Sequence, residues 1–402
     1  MRPLDGITVL DVSIAQQGPV ATAMLADFGA DVIKVEPRGT GDAYGRGMMR
    51  IIEAMSGVTG ENFYFENNNR GKRSLTLDLK KDRGKEVLFR LVAKADVFVQ
   101  NFRQGVVERL GVDYAALSAI NPRLVYCSIG GYGAKGPDSG KTSLDVAAQA
   151  RSGIMFAARE PGPPTTLTGG FADQVGAIVA SYAILMALMA RERHGIGQHV
   201  ITSHLGSMIC VQGLALAGRL MIETDLPKKP RKETNNPLWN HYEARDGRWF
   251  MLAMVDSDPY WPRFCTLPGL EHLEKDPRFE TAASRSENAE QLVSVLDSVF
   301  ATKTRDEWIE LFWTLDLIAD RVQDYDDLIA DPQPWANHYF AQFEHPRLGA
   351  TRVVGVPFEL TRTPGDPRSP APELGAHTHA ILSNVGGYTR DEIERLREEE
   401  VI

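Results

Sequence analysis

Two alternating periods in the first half of the chain predict an α/β protein with a mostly parallel sheet. Short β-branched runs take turns with longer stretches whose apolar residues recur at helical spacing, and such a series closes into a sheet covered by helices on both faces. A second observation is a break in composition at Pro227 to Pro237, where Lys228, Lys229, Arg231 and Lys232 mix with proline and asparagine. A chain of 402 residues exceeds what one core usually organises, so this break is read as a linker between two domains.

The elements follow in order. Ile7 to Asp11 reads as a strand, Gly18 to Phe28 as a helix and Ala30 to Glu36 as a second strand carrying Val32, Ile33 and Val35. Ser74 to Leu79, Asp96 to Gln100 and Arg123 to Ile129 are further strands, with Asp82 to Lys94 a helix that gathers Val87, Leu88, Leu91 and Val92 on one side. Asp173 to Arg193 predicts a long helix ended by Gly195 and Gly197, apolar nearly all round from Ala177 to Ala190 and therefore buried. Gln198 to Ser203 is a strand and Gly206 to Met221 another apolar helix. Beyond the linker, Trp249 to Met254 reads as a strand, with helices near Gln291 to Phe300 and Arg305 to Leu315. A Pro-rich tract from Pro357 to Pro372 leads to a last helix, Thr389 to Glu399. The expected organisation is 1–226 for a large domain, 227–331 for a small one and 332–402 for a return to the large domain.

A net charge of -9 argues against bulk attraction to nucleic acid or anionic lipid. The first nine residues lack the pattern of a signal peptide and no uninterrupted apolar run reaches about 18 residues, so no membrane is expected. Cys127, Cys210 and Cys265 are widely spaced and odd in number, which fits a reducing, cytoplasmic setting.

Several attractive motifs fail. Gly136 to Thr142 resembles a phosphate loop but has three residues between its glycines where four are needed, and Pro137 removes a backbone donor. No dinucleotide fingerprint follows the first strand, His377 and His379 stand without zinc partners, and no serine-hydrolase elbow occurs.

Other motifs are informative together. Asp11-Val-Ser-Ile-Ala-Gln16-Gln-Gly18-Pro19, Leu25 to Gly39, Asn69-Arg70-Gly71-Lys72-Arg73-Ser74, Asp96 to Phe102, Asn121-Pro122-Arg123, Gly195-Ile-Gly197-Gln198 and Ala371 to Thr378 occur in an order that is very similar to family III CoA-transferases, the CaiB/BaiF family of formyl-CoA and carnitine CoA-transferases. The resemblance spans nearly the whole chain. It implies a Rossmann-like large domain with a smaller α/β domain, two chains interlocked as a homodimer, acyl-CoA and a carboxylic acid as substrates, and no permanently bound cofactor.

The resemblance places the nucleophile at Asp173, in Gly170-Phe-Ala-Asp173-Gln-Val-Gly176, where the residue by itself reads as a helix N-cap. A carboxylate that attacks an acyl-CoA gives an aspartyl anhydride and CoA thiolate, and the thiolate then forms an enzyme thioester as the acid leaves. The resemblance also implies catalytic parts for Gln16, beside the thioester, and for Asp145 nearby. It assigns Ala15, Arg38, Leu77, Asn101, Phe102, Arg109 and Lys141 to coenzyme A, whose phosphates suit arginine. One departure is the missing glycine-rich loop: Asn235 to Tyr242, with Trp239 and Tyr242, stands at about that place and points to an acid larger than formate or oxalate. The alternatives are an α-methylacyl-CoA racemase, which would want a histidine where Leu144 stands, and a non-catalytic acyl-CoA-binding protein.

Overall fold

The computed structural model describes every residue except 158, 159, 226 and 368, so that Leu226, the predicted edge of the first domain, lies outside the described residues. The chain divides into two compact units: Met1–Met155 with Thr165–Ile222 and Gln333–Ile402, and Phe156–Pro164 with Glu223–Pro332.

The large unit is built on a six-stranded sheet, β1 (Thr8–Asp11), β2 (Asp31–Glu36), β3 (Arg73–Thr76), β4 (Val97–Gln100), β5 (Val125–Gly130) and β6 (Gln198–Ser203). All pairings are parallel and the order is β3-β2-β1-β4-β5-β6. Strand order reverses between β1 and β4, and in open α/β sheets ligands bind outside the carboxyl ends of the strands at that crevice. Central strands covered on both faces read as continuous apolar runs, and Val9, Leu10, Val97, Phe98 and Val99 are all fully buried.

The helices in chain order are α1 (Gln17–Asp27), α2 (Ala43–Ser56), α3 (Phe63–Asn69), α4 (Asp82–Val92), α5 (Val106–Leu110), α6 (Tyr114–Ile120), α7 (Asp145–Ser152), α8 (Phe171–His194), α9 (His204–Val211) and α10 (Gly213–Ile222). α4 packs on one face of the sheet with the C-terminal helix Arg390–Glu398, while α1 and α8 cover the other. α2, α3 and a β-hairpin of Phe340–His345 and Gly349–Val354 were not legible from periodicity.

Two expectations about these helices are corrected. α8 is not buried all round: Ala177, Ala180, Ile184, Ala187 and Leu188 enter the core, but Ile178, Tyr182, Leu185, Met186 and Met189 are exposed. A helix lying on a sheet buries one stripe, and here the opposite stripe is apolar as well. By length and composition alone α8 could cross a membrane. The predicted helix from Gly206 to Met221 is two helices bent by 81°. The break falls at Gln212, whose side-chain amide donates to the carbonyls of Met208 (2.7 Å) and Ser152 (3.1 Å), just before the flexible Gly213.

The small unit has an antiparallel sheet of β7 (Trp239–Glu243), β8 (Trp249–Ala253) and β9 (Ala319–Arg321), with helices Ala289–Phe300 and Arg305–Thr314. Pro227 to Pro237 is part of this unit rather than a free linker, since Arg231 forks onto Asp297 at 2.8 and 2.9 Å and donates to the His241 carbonyl. Tyr242, one of the two aromatics read as acid-binding, is buried in the core of the small unit with its hydroxyl on the Pro237 carbonyl, whereas Trp239 is partly exposed. Alternation along β7 decides this, because residues three apart face opposite sides.

Candidate active site

The site is assembled at the carboxyl ends of β1 and β6. After β1 the chain turns through Ser13 to Gln16 before entering α1, and a buried polar network fixes that turn. Asp11 accepts from the Ser13 amide (2.9 Å), the Thr22 hydroxyl (2.7 Å) and the Lys72 ammonium (2.8 Å). Burial works to raise the Asp11 pKa, but the charges of Lys72 and Lys34 and these hydrogen bonds outweigh it and bring it to about 2. Burial dominates at Lys72 and pushes it down to about 8. Lys34 donates to the Ser13 carbonyl at 3.0 Å and Asp42 accepts from the Ala15 amide at 3.1 Å. Ala15 itself has φ 64°, a left-handed conformation that a residue with a Cβ adopts only when its surroundings enforce it.

Gln16 is thereby aimed at the start of α8. Its amide lies against Gly170, where a Cβ would collide with it, and Gly170 also needs its positive φ of 70°. Gly176, six residues on, admits Gln17 in the same way, so α1 and α8 meet at glycine.

Asp173 is not the N-cap of α8. Gly170 holds that position and has no side chain to offer, so Asp173 is the third helical residue. The cap comes from elsewhere: Asp145, at the start of α7, accepts from the amides of Ala172 (2.6 Å) and Asp173 (3.1 Å) through one oxygen. Its other oxygen accepts from Gln149 (2.7 Å), and Gln149 clamps both the amide and the carbonyl of Leu167 at 2.8 Å. Asp145 therefore fixes the backbone of the first turn in which Asp173 sits.

The Asp173 side chain, 18% exposed, has one hydrogen-bond partner among the described residues: Nε2 of His204 lies 2.7 Å from its Oδ1. Sequence reasoning missed His204. The available signal was its place immediately after β6, with Ser203 capping α9 through the Gly206 amide (3.0 Å), because the carboxyl end of a strand is where α/β proteins put chemistry. Tyr64 of α3 was missed as well. Burial and then the charges of Asp173, Asp42 and Asp145 push its phenol well above the ordinary value, so it stays protonated.

The residues assigned to coenzyme A separate into three groups. Leu77 and Phe102 line one apolar cleft at the carboxyl ends of β1 to β3, along with Ile14, Pro37 and Leu110. Ala15 and Asn101 belong to the turn: both ends of the Asn101 amide bond the Ile14 backbone at 2.8 Å, so this side chain is a clamp. The cations lie outward. Arg38 donates to the Ile402 carbonyl (3.1 Å) and pairs with Glu400 (3.3 Å), Lys141 pairs with Asp138 (2.7 Å), and Arg109 is exposed on α5.

An open parallel sheet with an apolar cleft at the carboxyl ends of its strands and a carboxylate in the first turn of a helix packed on it defines an α/β protein equipped for covalent carboxylate chemistry. The CoA-transferase family III model matches residues 4–378. The chain is 30% identical to the (R)-2-hydroxy-4-methylpentanoate CoA-transferase of Clostridioides difficile, covering 99% of each. It is 31% identical to the succinyl-CoA–D-citramalate CoA-transferase of Chloroflexus aurantiacus, covering 100% of this chain and 98% of that one. A CaiB/BaiF family protein from Brucella suis superimposes with a TM-score of 0.84 at 30% identity, over 96% of this chain and 99% of the other. The chain belongs to the family III CoA-transferases, and the activity this membership carries is transfer of CoA.

Proposed function

We propose that the chain moves coenzyme A from an acyl-CoA thioester to a free carboxylic acid through an anhydride and then a thioester on Asp173. The observation that carries this reading is the placement of Asp173: it sits in the first turn of a 24-residue helix, where the helix dipole favours negative charge, and while its Oδ1 meets His204 its Oδ2 accepts no hydrogen bond among the described residues. CoA would lie along the Leu77–Phe102 cleft with its phosphates towards Arg38, Arg109 and Lys141. The racemase alternative asks for an acid and a base on opposite faces of the substrate carbon. Here the histidine nearest Asp173 is bonded directly to it, so the two act from one side.

The acceptor is proposed to be larger than oxalate, in keeping with the branched hydroxy acid in the name of the Clostridioides relative. Two chains are proposed to pair through the exposed apolar stripe of α8 and the exposed Leu214, Leu220 and Met221 of α10.

The test is a mass-spectrometric screen of CoA exchange from succinyl-CoA, cinnamoyl-CoA and isobutyryl-CoA to a pool of dicarboxylic, branched and aryl acids, repeated with Asp173→Ala. Wild type is expected to exchange at least one pair, and Asp173→Ala to lose at least 10⁴-fold. Hydroxylamine present during turnover should inactivate wild type and leave a hydroxamate on the peptide containing Asp173. Exchange that survives Asp173→Ala overturns the mechanism, and oxalate outperforming the branched and aryl acids overturns the substrate class.

A further inference from the structure

Resting on that reading of Asp173, we propose that His204 is a catalytic donor that holds the carbonyl oxygen of the acylated Asp173, and so decides which carboxylate oxygen attacks and which stays. Three observations converge. His204 is 7% exposed, its Nε2 lies 2.7 Å from Asp173 Oδ1, and its Nδ1 is buried with no hydrogen-bond partner among the described residues. An ionised carboxylate only accepts, so the ring hydrogen that makes this bond sits on Nε2. A hydrogen on Nδ1 would face no acceptor, which makes the Nε2–H tautomer the less costly one. The ring is placed by backbone as well: it is the first residue of α9, Ser203 caps that helix, and the Leu205 amide donates to the Gly131 carbonyl at 3.0 Å.

The consequence follows atom by atom. With Oδ1 held, Oδ2 bonds to the acyl carbonyl carbon, the carbon–sulfur bond breaks, and CoA leaves as thiolate. The anhydride now has Oδ2 as its bridge and Oδ1 as the carbonyl oxygen on Cγ. The thiolate attacks Cγ and the carbonyl electron pair moves onto Oδ1. As that pair returns, the Cγ–Oδ2 bond breaks and the free acid departs with Oδ2, leaving the CoA thioester on Cγ. Throughout, the hydrogen on Nε2 faces the oxygen that becomes the oxyanion, which is where a positioned donor accelerates acyl transfer. The second acid runs the same steps backward past the same donor.

The experiment uses the full chain and the acyl-CoA and acid pair that wild type exchanges fastest in the screen above. His204→Leu keeps bulk and removes the donor. We expect kcat to fall about 10²–10³-fold with KM for acyl-CoA within about threefold, and the covalent CoA adduct on Asp173 in quenched samples to form slower by the same factor. His204→Gln, whose terminal amide can reach the Nε2 position, should restore at least tenfold of that loss, and the shorter His204→Asn should not. A kcat within threefold of wild type in His204→Leu, or unchanged adduct formation, overturns the proposal. Should His204→Leu fail to fold, equal rates in the Gln and Asn variants overturn it and a Gln advantage sustains it. Deuterium uptake at the α-carbon of isobutyryl-CoA that wild type catalyses and His204→Leu loses would make the residue a general base and also overturn it. Asp173→Ala separates the two levels: if that variant exchanges CoA, the transferase mechanism itself has failed; if it is dead while His204→Leu is normal, only the donor role has.

Discussion

The carboxyl end of β1 and the interior of the small unit are equally dry but built from opposite materials. Around Asp11 the buried groups are Lys72, Lys34, Ser13, Thr22 and Asp42, joined by ion pairs and hydrogen bonds. Around Phe300 they are rings: Tyr242 and Phe250 at 5.0 Å, Trp308 at 5.2 Å and Phe312 at 5.9 Å, mostly edge to face. Ring packing gains from apolar area and tolerates adjustment, whereas a buried ionic network has one satisfied arrangement and is costly when broken. The difference teaches what each region is for. The network imposes a left-handed Ala15 and aims Gln16 at α8, a geometry that apolar packing alone would let relax.

The sharpest break of this comparison is Lys72→Met. It fills similar space but leaves the Asp11 carboxylate with Lys34 as its remaining cationic neighbour, and loss of one member of a buried pair costs about 3–5 kcal/mol. Amide hydrogen exchange should speed up in peptides spanning 8–36 and CoA exchange should collapse. If Lys72→Met is as stable as wild type, the network is not what holds the turn.

The next effect is on pH. Asp11 titrates at about 2 in the folded chain, below its ordinary value of 3.8, so its contribution is complete above about pH 5 and is lost as pH falls through 3.8 and past 2. That contribution is about 2 kcal/mol. Equilibrium denaturation of wild type should weaken steeply over that window. A chain carrying Asp11→Asn should show a shallower slope, and equal slopes would assign acid sensitivity elsewhere.

How much of this was legible in the sequence follows the same division. The strands and α1, α4 and α8 declare themselves by period, because an apolar face repeats along one element. Asp173 and Gln16 were reached through ordered motifs. The partners that make them a site were not, since Asp145 lies 28 residues from the amide of Asp173 that it caps and His204 lies 31 residues from the carboxylate it meets. Only the sheet brings them together. For the same reason an apolar α8 reads as wholly buried when one chain buries only one stripe of it.

The smallest effect is the mirror test in the small unit. Phe300→Leu removes ring contacts at the centre of the aromatic cluster but leaves its apolar character, and the backbone carbonyl of residue 300 still accepts from Trp308 Nε1, 2.8 Å away in the native chain. Neighbouring rings can close part of the gap, so the cost should be about 1–1.5 kcal/mol, well under that of Lys72→Met despite comparable burial. Amide exchange should rise in peptides covering 289–314 and stay at the wild-type rate in 8–36. If Phe300→Leu instead destabilises by as much as the lysine variant, the rings are as intolerant of change as the ionic network. The contrast between an adjustable core and a geometry-fixing one would then fail.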